Sequence, residues 1–447
     1  MPSAKAWTIM VFMNGDNNLE ADAITDFHEI AKVGSTSDVN IVVQFDRNGG
    51  YAVTSPQWKG ACRFLVKKGT APQPSQALEK LGDTNMGSAN TLAEFIRWAT
   101  KKYPAKRYML DIWNHGQGWR VALAKPIEGD VTELAEVAAF RERNLDAETQ
   151  RRSRRMQTLV RGAAAGGAAP VARIPAIPIL SGVPNTVRLV SIDDTSHDFL
   201  YNREIQDVLE TMQPRMNLVG FDACLMAMVE TGYALRKCAK VMVGSEELEP
   251  GSGWNYADWL AKLAAKPAMN ESELGKVMVD SYRTTYTGMD ESVTLSATRL
   301  DRMDALAKAI DALSDELIAA VGAGKAAAID HVRAQCAEFA PHYGLHGIDL
   351  ARLADLLAAS SLPPALKAAA KKAGAATRGA VIANHGGLDR QGDFGSHGLA
   401  IYFPRTKALF KADADGEGYL KTNGNFPVAF VQERRWADFL AKYYAAA

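Results

Sequence analysis

The feature that most restricts the fold is an uninterrupted apolar run near the N-terminus, Trp7-Thr-Ile-Met-Val-Phe-Met13. A strand with one wet face alternates apolar and polar residues, so a continuous run has both faces covered. Helices lying on both sides of a largely parallel sheet provide that cover. Similar runs recur at Asn40-Ile-Val-Val-Gln-Phe45, Arg63-Phe-Leu-Val66, Arg107-Tyr-Met-Leu-Asp-Ile-Trp113, Asn217-Leu-Val-Gly-Phe221 and Val241-Met-Val243. Stretches with helical spacing separate them, at 20–33 and again from Thr91. There Thr91 and Glu94 fit a capping box, and Leu92, Phe95, Ile96 and Ala99 form one apolar face. The alternation predicts an α/β fold, a twisted and mostly parallel sheet flanked by helices.

A chain of 447 residues suffices for one large domain or two ordinary ones. Residues 1–265 are expected to form the catalytic domain. Residues 266–447 turn alanine-rich and helical, as at Leu300 to Ala320, with strand candidates at Ala380–Ala383 and Leu399–Phe403, the second stopped by Pro404. They are expected to form a helix-rich C-terminal α/β subdomain packed on the first. The stretch from about 121 to 186 breaks the rhythm, with Arg151-Arg-Ser-Arg-Arg155 and then Gly162-Ala-Ala-Ala-Gly-Gly-Ala-Ala-Pro170. Apart from helical character near 131–150, it reads as a long mobile insertion.

Lysine plus arginine equal aspartate plus glutamate at 51 each, so no overall field favours nucleic acid or an anionic membrane. No segment is apolar over the roughly 18 residues a membrane span needs. The N-terminus lacks a basic stretch followed by an apolar one, so a cytoplasmic location is expected, or a secreted one if a leader has been removed. Cys62, Cys224, Cys238 and Cys336 are scattered, without CxxC or metal-ligand spacing. No metal site is assigned.

Two strand ends carry chemistry. Asp111-Ile-Trp-Asn-His115-Gly-Gln-Gly-Trp119 places a histidine just beyond one apolar run, and Phe221-Asp-Ala-Cys224 a cysteine just beyond another. Ligands gather beyond the carboxyl ends of parallel strands. An imidazole can take the thiol proton and later give it to a leaving amine. The amides of Gly116 and Cys224 are natural donors to an oxyanion. The same residues also suit a buried cysteine and a simple turn. A second His-Gly pair, Asn384-His385-Gly-Gly387, follows another apolar run.

The pattern of an apolar run ending in His-Gly, a spacer, and a run ending in Ala-Cys resembles caspases, legumains, gingipains and separases. More specifically, the chain resembles the clostripain family of cysteine peptidases, over nearly its whole length. The blocks are Trp7–Leu19, Asn85–Leu92, Trp113–Trp119, Gly220–Met226, Glu249-Pro-Gly-Ser-Gly-Trp254 and His397-Gly-Leu-Ala-Ile-Tyr-Phe-Pro404. The resemblance implies a caspase-like fold with Cys224 as nucleophile and His115 as base. It also implies that Asp222 walls a pocket for arginine, in preference to lysine, on the acyl side of the scissile bond. Glu246, Glu247 or Glu249 could add a second acid there, or be solvated loop charges.

His115 and Cys224 lie 109 residues apart, a longer spacer than the family pattern requires. In clostripain-like enzymes the chain cuts itself in this region. Arg151, Arg152, Arg154, Arg155 and Arg161 are the corresponding candidates, unless they belong to a plain basic linker. No cofactor is required. Some relatives need calcium, so calcium enters by resemblance alone, and Asn14–Asn18 reads as a turn. His28, His197, His331, His342, His346 and His397 receive no role. Expected partners are proteins or peptides with exposed Arg or Lys, without nucleic acid or membrane insertion, and oligomeric state stays open. The rival reading is a caspase-like interaction module without turnover, which the intact dyad disfavours. A metal-dependent hydrolase lacks HExxH or comparable spacing.

Overall fold

The computed structural model describes residues 4–52, 57–116, 190–196, 198–288, 293–340, 346–386, 395–411, 419, 421 and 428–446. The expected insertion at 121–186, its helical part and its five candidate arginines lie outside the described residues.

Successive residues of β1 (Lys5–Gly15) explain its unbroken hydrophobicity. Met10 and Phe12 enter one buried cluster, whereas Ile9, Val11 and Met13 enter another on the opposite face. The remaining strands, in chain order, are β2 (Val39–Arg47), β3 (Gly60–Leu65), β4 (Glu79–Gly82), β5 (Ala105–Trp113), β6 (Val190–Asp193), β7 (Asp198–Leu200), β8 (Leu218–Asp222), β9 (Val241–Gly244), β10 (Leu295–Arg299), β11 (Gly347–Asp349), β12 (Val381–His385) and β13 (Ala400–Tyr402). Nine of them form one sheet in the order β12-β10-β9-β8-β5-β1-β2-β3-β4. The middle of that sheet, from β9 to β2, is parallel throughout. Both edges are antiparallel: β3 and β4 at one, β10 and β12 at the other.

Helices Ala89–Lys102, Asn202–Thr211 and Met303–Gly322 contribute to the first core. Helices Glu20–Val33, Tyr256–Ala265 and Glu271–Tyr286 contribute to the second. The helix expected to start at Thr91 begins earlier, because the Ser88 side chain accepts the Asn90 amide and takes the cap role given to Thr91. Residues beyond 265 supply β10 and β12 to the main sheet, so the boundary drawn near 265 runs through one continuous sheet. Ala380 closes helix Pro364–Ala380, and the strand starts one residue later. The expected strand at 399–403 becomes β13, which pairs with β11 outside the main sheet. No helix among the described residues is long and apolar enough to cross a membrane.

β5 and β8 are adjacent and parallel, with Trp113 opposite Asp222, so both carboxyl ends open at one place. Phe221 is fully buried in the first core at that end. Phe221→Ala should cost about 3–5 kcal/mol, read as a lower urea midpoint in a Cys224→Ala background.

Candidate active site

The backbone brings the two halves of the dyad together. The Asn114 amide donates to the Asp222 carbonyl at 3.2 Å, prolonging the β5–β8 ladder by one bond. Beyond it, Gly116 presses on the nucleophile segment. A Cβ added there would fall 2.2 Å from the Cys224 carbonyl oxygen and 2.8 Å from its nitrogen. Only glycine permits this approach. His115-Gly116 and the Cys224 backbone therefore lie together at the same strand ends.

Cys224 is half-buried, and its Sγ accepts the Glu249 amide at 3.2 Å. Leu225, the next residue, has φ of 65°, a left-handed conformation uncommon for a branched side chain. Its amide is held by the Glu247 carbonyl at 3.2 Å. The loop after β9 thus holds both the nucleophile's sulfur and the residue that follows it.

The histidine has a partner that sequence reasoning did not assign. His115 Nε2 lies 2.9 Å from Asn18 Oδ1. An amide oxygen only accepts, so Nε2 carries the proton and Nδ1 keeps the lone pair a general base needs. The turn bearing Asn18 is itself fastened to this strand end. Asn114 Nδ2 donates to the Asn14 carbonyl at 2.8 Å, and the Asp16 amide donates to Asn14 Oδ1 at 3.1 Å. Only the polar Asn14–Asn18 block hinted at this role.

Burial pushes the Cys224 thiol up to about 11, against the opposing pull of the Glu249 amide. Burial also holds the His115 imidazole down to about 4. Both shifts favour the neutral forms of the thiol and the imidazole.

Asp222 sits on the sheet face covered by helices Tyr256–Ala265 and Glu271–Tyr286. Its Oδ2 accepts from the Trp254 amide at 3.3 Å and lies 2.8 Å from the Tyr256 hydroxyl. The same hydroxyl lies 2.6 Å from Asp111 Oδ2. One phenol proton cannot serve two carboxylates, so one of the acids must be protonated. Burial, then the charge of Asp222, pushes Asp111 up to about 8, while burial raises Asp222 only to about 6. The pair therefore holds one proton between its two carboxyl groups, bridged by the Tyr256 hydroxyl. Gly253, with φ of 49°, has no side chain to displace this carboxylate, since a Cβ would lie 2.8 Å from Asp222 Oδ2.

The structure divides the three candidate glutamates. Glu249 is buried beside Asp222, and the two carboxyl groups lie within hydrogen-bonding reach of each other. Burial, then the Asp222 charge, raises it well above the carboxylate range. Glu246 instead has Oε2 engaged by the Ser396 hydroxyl and by the Gly398 amide at 2.8 Å. Glu247 accepts the Leu248 amide at 2.8 Å and the Ala340 amide at 3.1 Å. Both are buried and occupied with backbone, so neither is a solvated loop charge. His397 is tied to Asp349 at 3.0 Å. Cys62, Cys238 and Cys336 are buried thiols.

A family model described as the clostripain family matches residues 11–127 and 181–407, most of the chain. A curated relative, clostripain of Hathewaya histolytica, is 23% identical over 284 residues, which is 60% of this chain and 44% of that protein. The chain thus spans less than half the length of that relative. Among solved structures, an inactive zymogen C11 protease from Parabacteroides distasonis aligns with a TM-score of 0.57 at 17% identity, covering 94% of this chain and 98% of that one. A secreted C11 cysteine protease from Bacteroides thetaiotaomicron, iotapain, aligns at 0.58 with 15% identity, covering 93% and 98%. A secreted C11 cysteine protease of that organism in complex with an irreversible peptide inhibitor aligns at 0.55 with 16% identity, covering 91% and 96%. These likenesses establish a common fold.

The raised proton affinity of Asp111 has a thermodynamic signature. A carboxyl with a folded pKa of about 8 against an unfolded value near 3.8 binds more proton when folded throughout that interval. Its contribution is complete below the unfolded value and is lost as pH rises toward 8. Urea unfolding of the Cys224→Ala protein at about pH 5 and about pH 8 should reveal this decline. Adding Asp111→Asn should flatten it, because the amide still donates to Tyr256 but does not titrate.

Proposed function

The chain belongs to the clostripain family, and we propose that it is a cysteine endopeptidase cutting after basic residues, arginine ahead of lysine. The observation that carries the proposal is the seating of His115-Gly116 against the Cys224 backbone at the ends of adjacent parallel strands. Cys224 Sγ attacks the peptide carbonyl while His115 Nδ1 takes the thiol proton. The carbonyl oxygen develops charge toward the Gly116 and Cys224 amides. The C–N bond then breaks, His115 returns its proton to the departing amine, and water hydrolyses the thioester with His115 again as base. Asn18 keeps the imidazole in the tautomer this sequence needs.

Specificity follows from charge. Asp222 is a buried carboxylate whose hydrogen bonds come from Trp254 and Tyr256, neither of them a cation. An arginine or lysine of the substrate would supply the counter-charge, and the two-pronged guanidinium suits a carboxylate better than an ammonium does. Glu249 adds a second oxygen pair that becomes a charged partner on losing its proton. Proteins and peptides with exposed basic residues are the proposed substrates. Activation by self-cleavage after one or more of Arg151, Arg152, Arg154, Arg155 and Arg161 completes the proposal, since these residues match the specificity assigned to Asp222.

Fluorogenic peptides ending in arginine and in aspartate test this reading. The arginine peptide should be cleaved, Cys224→Ala should abolish cleavage, and Asp222→Asn should reduce kcat/KM by roughly 10²-fold or more. Preference for the aspartate peptide refutes the role of Asp222. Asn18→Ala should lower kcat by up to roughly 10²-fold with little change in KM. On a gel, wild type should divide into two chains while Cys224→Ala stays whole. An active wild type that remains one intact band excludes self-cleavage as the activating step.

A further inference from the structure

Among the described residues, three other than glycine have a positive φ: Leu225 at 65°, Ala340 at 42° and His346 at 53°. Such a backbone is uncommon outside glycine and persists where its surroundings over-determine it, often at working sites. Glu247 holds two of the three. Its carbonyl accepts the Leu225 amide at 3.2 Å, and its carboxyl group accepts the Ala340 amide, Oε1 at 3.1 Å and Oε2 at 3.3 Å. The carboxyl group also turns back on its own chain, where Oε1 accepts the Leu248 amide at 2.8 Å. The next amide along, that of Glu249, donates to Cys224 Sγ at 3.2 Å. Both ends of this connection are fixed. The Glu247 amide donates to Thr294 Oγ1 at 3.0 Å, and the Ser245 hydroxyl donates to the Glu247 carbonyl at 2.8 Å. At the far end the Phe339 amide donates to the Gly347 carbonyl at 2.9 Å. Glu338, just before it, is buried between the Arg333 guanidinium at 3.1 Å and His346 Nδ1 at 2.8 Å. Arg333 Nε donates in turn to the Phe403 carbonyl at 2.7 Å.

We propose that Glu247 is a positioning residue for the nucleophile, an inference that rests on Cys224 being the attacking thiol. Its carboxyl group fixes the Leu248 end of the segment whose following amide sits on Sγ, and its carbonyl holds the left-handed residue directly after Cys224. A donor held on the sulfur favours the thiolate that forms when the thiol proton leaves. Because its support is already built, that donor needs no rearrangement during attack. Charge is not what recommends an acid here. Burial is the main cause that raises the Cys224 thiol, and the charge of Glu247 adds to it, so electrostatically Glu247 opposes the thiolate. What recommends glutamate is reach, since its oxygens accept from Leu248 and Ala340 together. A neutral acceptor of the same length should therefore serve. Residues beyond 265 supply neither member of the dyad, yet through Ala340 and Thr294 they shape the loop that holds its sulfur.

Glu247→Gln and Glu247→Ala in the full-length protein test this. Both remove the charge and only glutamine keeps an oxygen of the same reach, so their difference reads the acceptor alone. Activity is counted per Cys224 thiol that iodoacetamide labels, located by mass spectrometry. On the arginine peptide, Glu247→Ala should lower kcat by roughly 10–10²-fold with KM within about 3-fold, and Glu247→Gln should restore most of the loss. A tie that only stabilised the fold would lower the thermal midpoint and the number of labelled molecules while leaving kcat per labelled thiol unchanged. That outcome overturns the proposal, as does a glutamine variant no faster than the alanine one. Labelling itself needs no substrate. At about pH 7, iodoacetamide should modify Cys224 several-fold more slowly in Glu247→Ala than in Glu247→Gln, because the sulfur has lost its fixed donor. Equal labelling rates overturn the proposal. Failure of every peptide with the labelling difference intact supports it and faults the proposed specificity instead. If Glu247→Ala does not unfold cooperatively, Glu247→Asp takes its place: it keeps the charge but is too short to reach both amides. It should show the same fall in kcat, and parental kcat there overturns the proposal.

Discussion

Everything at the site depends on the pairing of β5 with β8. Their parallel register places Trp113 opposite Asp222 and sends His115 and Cys224 out at the same end. The last contact of that seam is Gly116 against the Cys224 backbone, too close for any side chain. Strand twist and pleat then decide the remainder. Odd residues of β5 and even residues of β8 face the same helices, so Asp111 and Asp222 meet under Tyr256 while Ile112 and Phe221 fill the opposite core.

What was legible in the sequence follows from the same physics. β1, β2, β5 and β8 are apolar on both faces because both faces are buried, and such runs announce themselves. β10, Leu295-Ser-Ala-Thr-Arg299, has a short polar sequence and was missed, although it pairs with β9 inside the sheet. The dyad was legible because each member follows a recognisable strand. Asn18 was not, since its role depends on a turn folding over a strand end almost a hundred residues away. Among the glutamates, sequence proximity to Cys224 carried no directional information. Glu249 faces Asp222, whereas Glu246 is drawn across to Ser396 and Gly398. The three acids at Asp16, Asp46 and Asp193 have no common spacing and meet only in the folded chain, Asp193 coming from the separate β6–β7 pair.

The electrostatic character of the site lies in its excess of buried acid. Asp26, Asp111, Asp222 and Glu249 occupy one side of the sheet, and burial raises the proton affinity of each. Among the described residues no lysine or arginine neutralises them. Neutral donors hold them instead: the Trp113 indole on Asp26 at 2.8 Å, and Tyr256 between Asp111 and Asp222. Burial favours the protonated form across this group, while Asp222 keeps two neutral donors, the Trp254 amide and the Tyr256 hydroxyl.

The β5–β8 seam has a topological consequence. The described residues up to 116 supply β1 to β5 and those from 190 onward supply β6 to β13, and in the main sheet the two sets meet along the β5–β8 ladder. Phe12 and Ile112 share a core with Val219 and Phe221, and Trp113 shares the opposite core with Trp254. A chain severed anywhere between β5 and β6 would therefore be two polypeptides with a single interior. Their boundary would be a central sheet ladder flanked by two hydrophobic cores, the kind of surface found in obligate complexes and not in reversible ones. Dilution would not part such halves; separating them would require unfolding both.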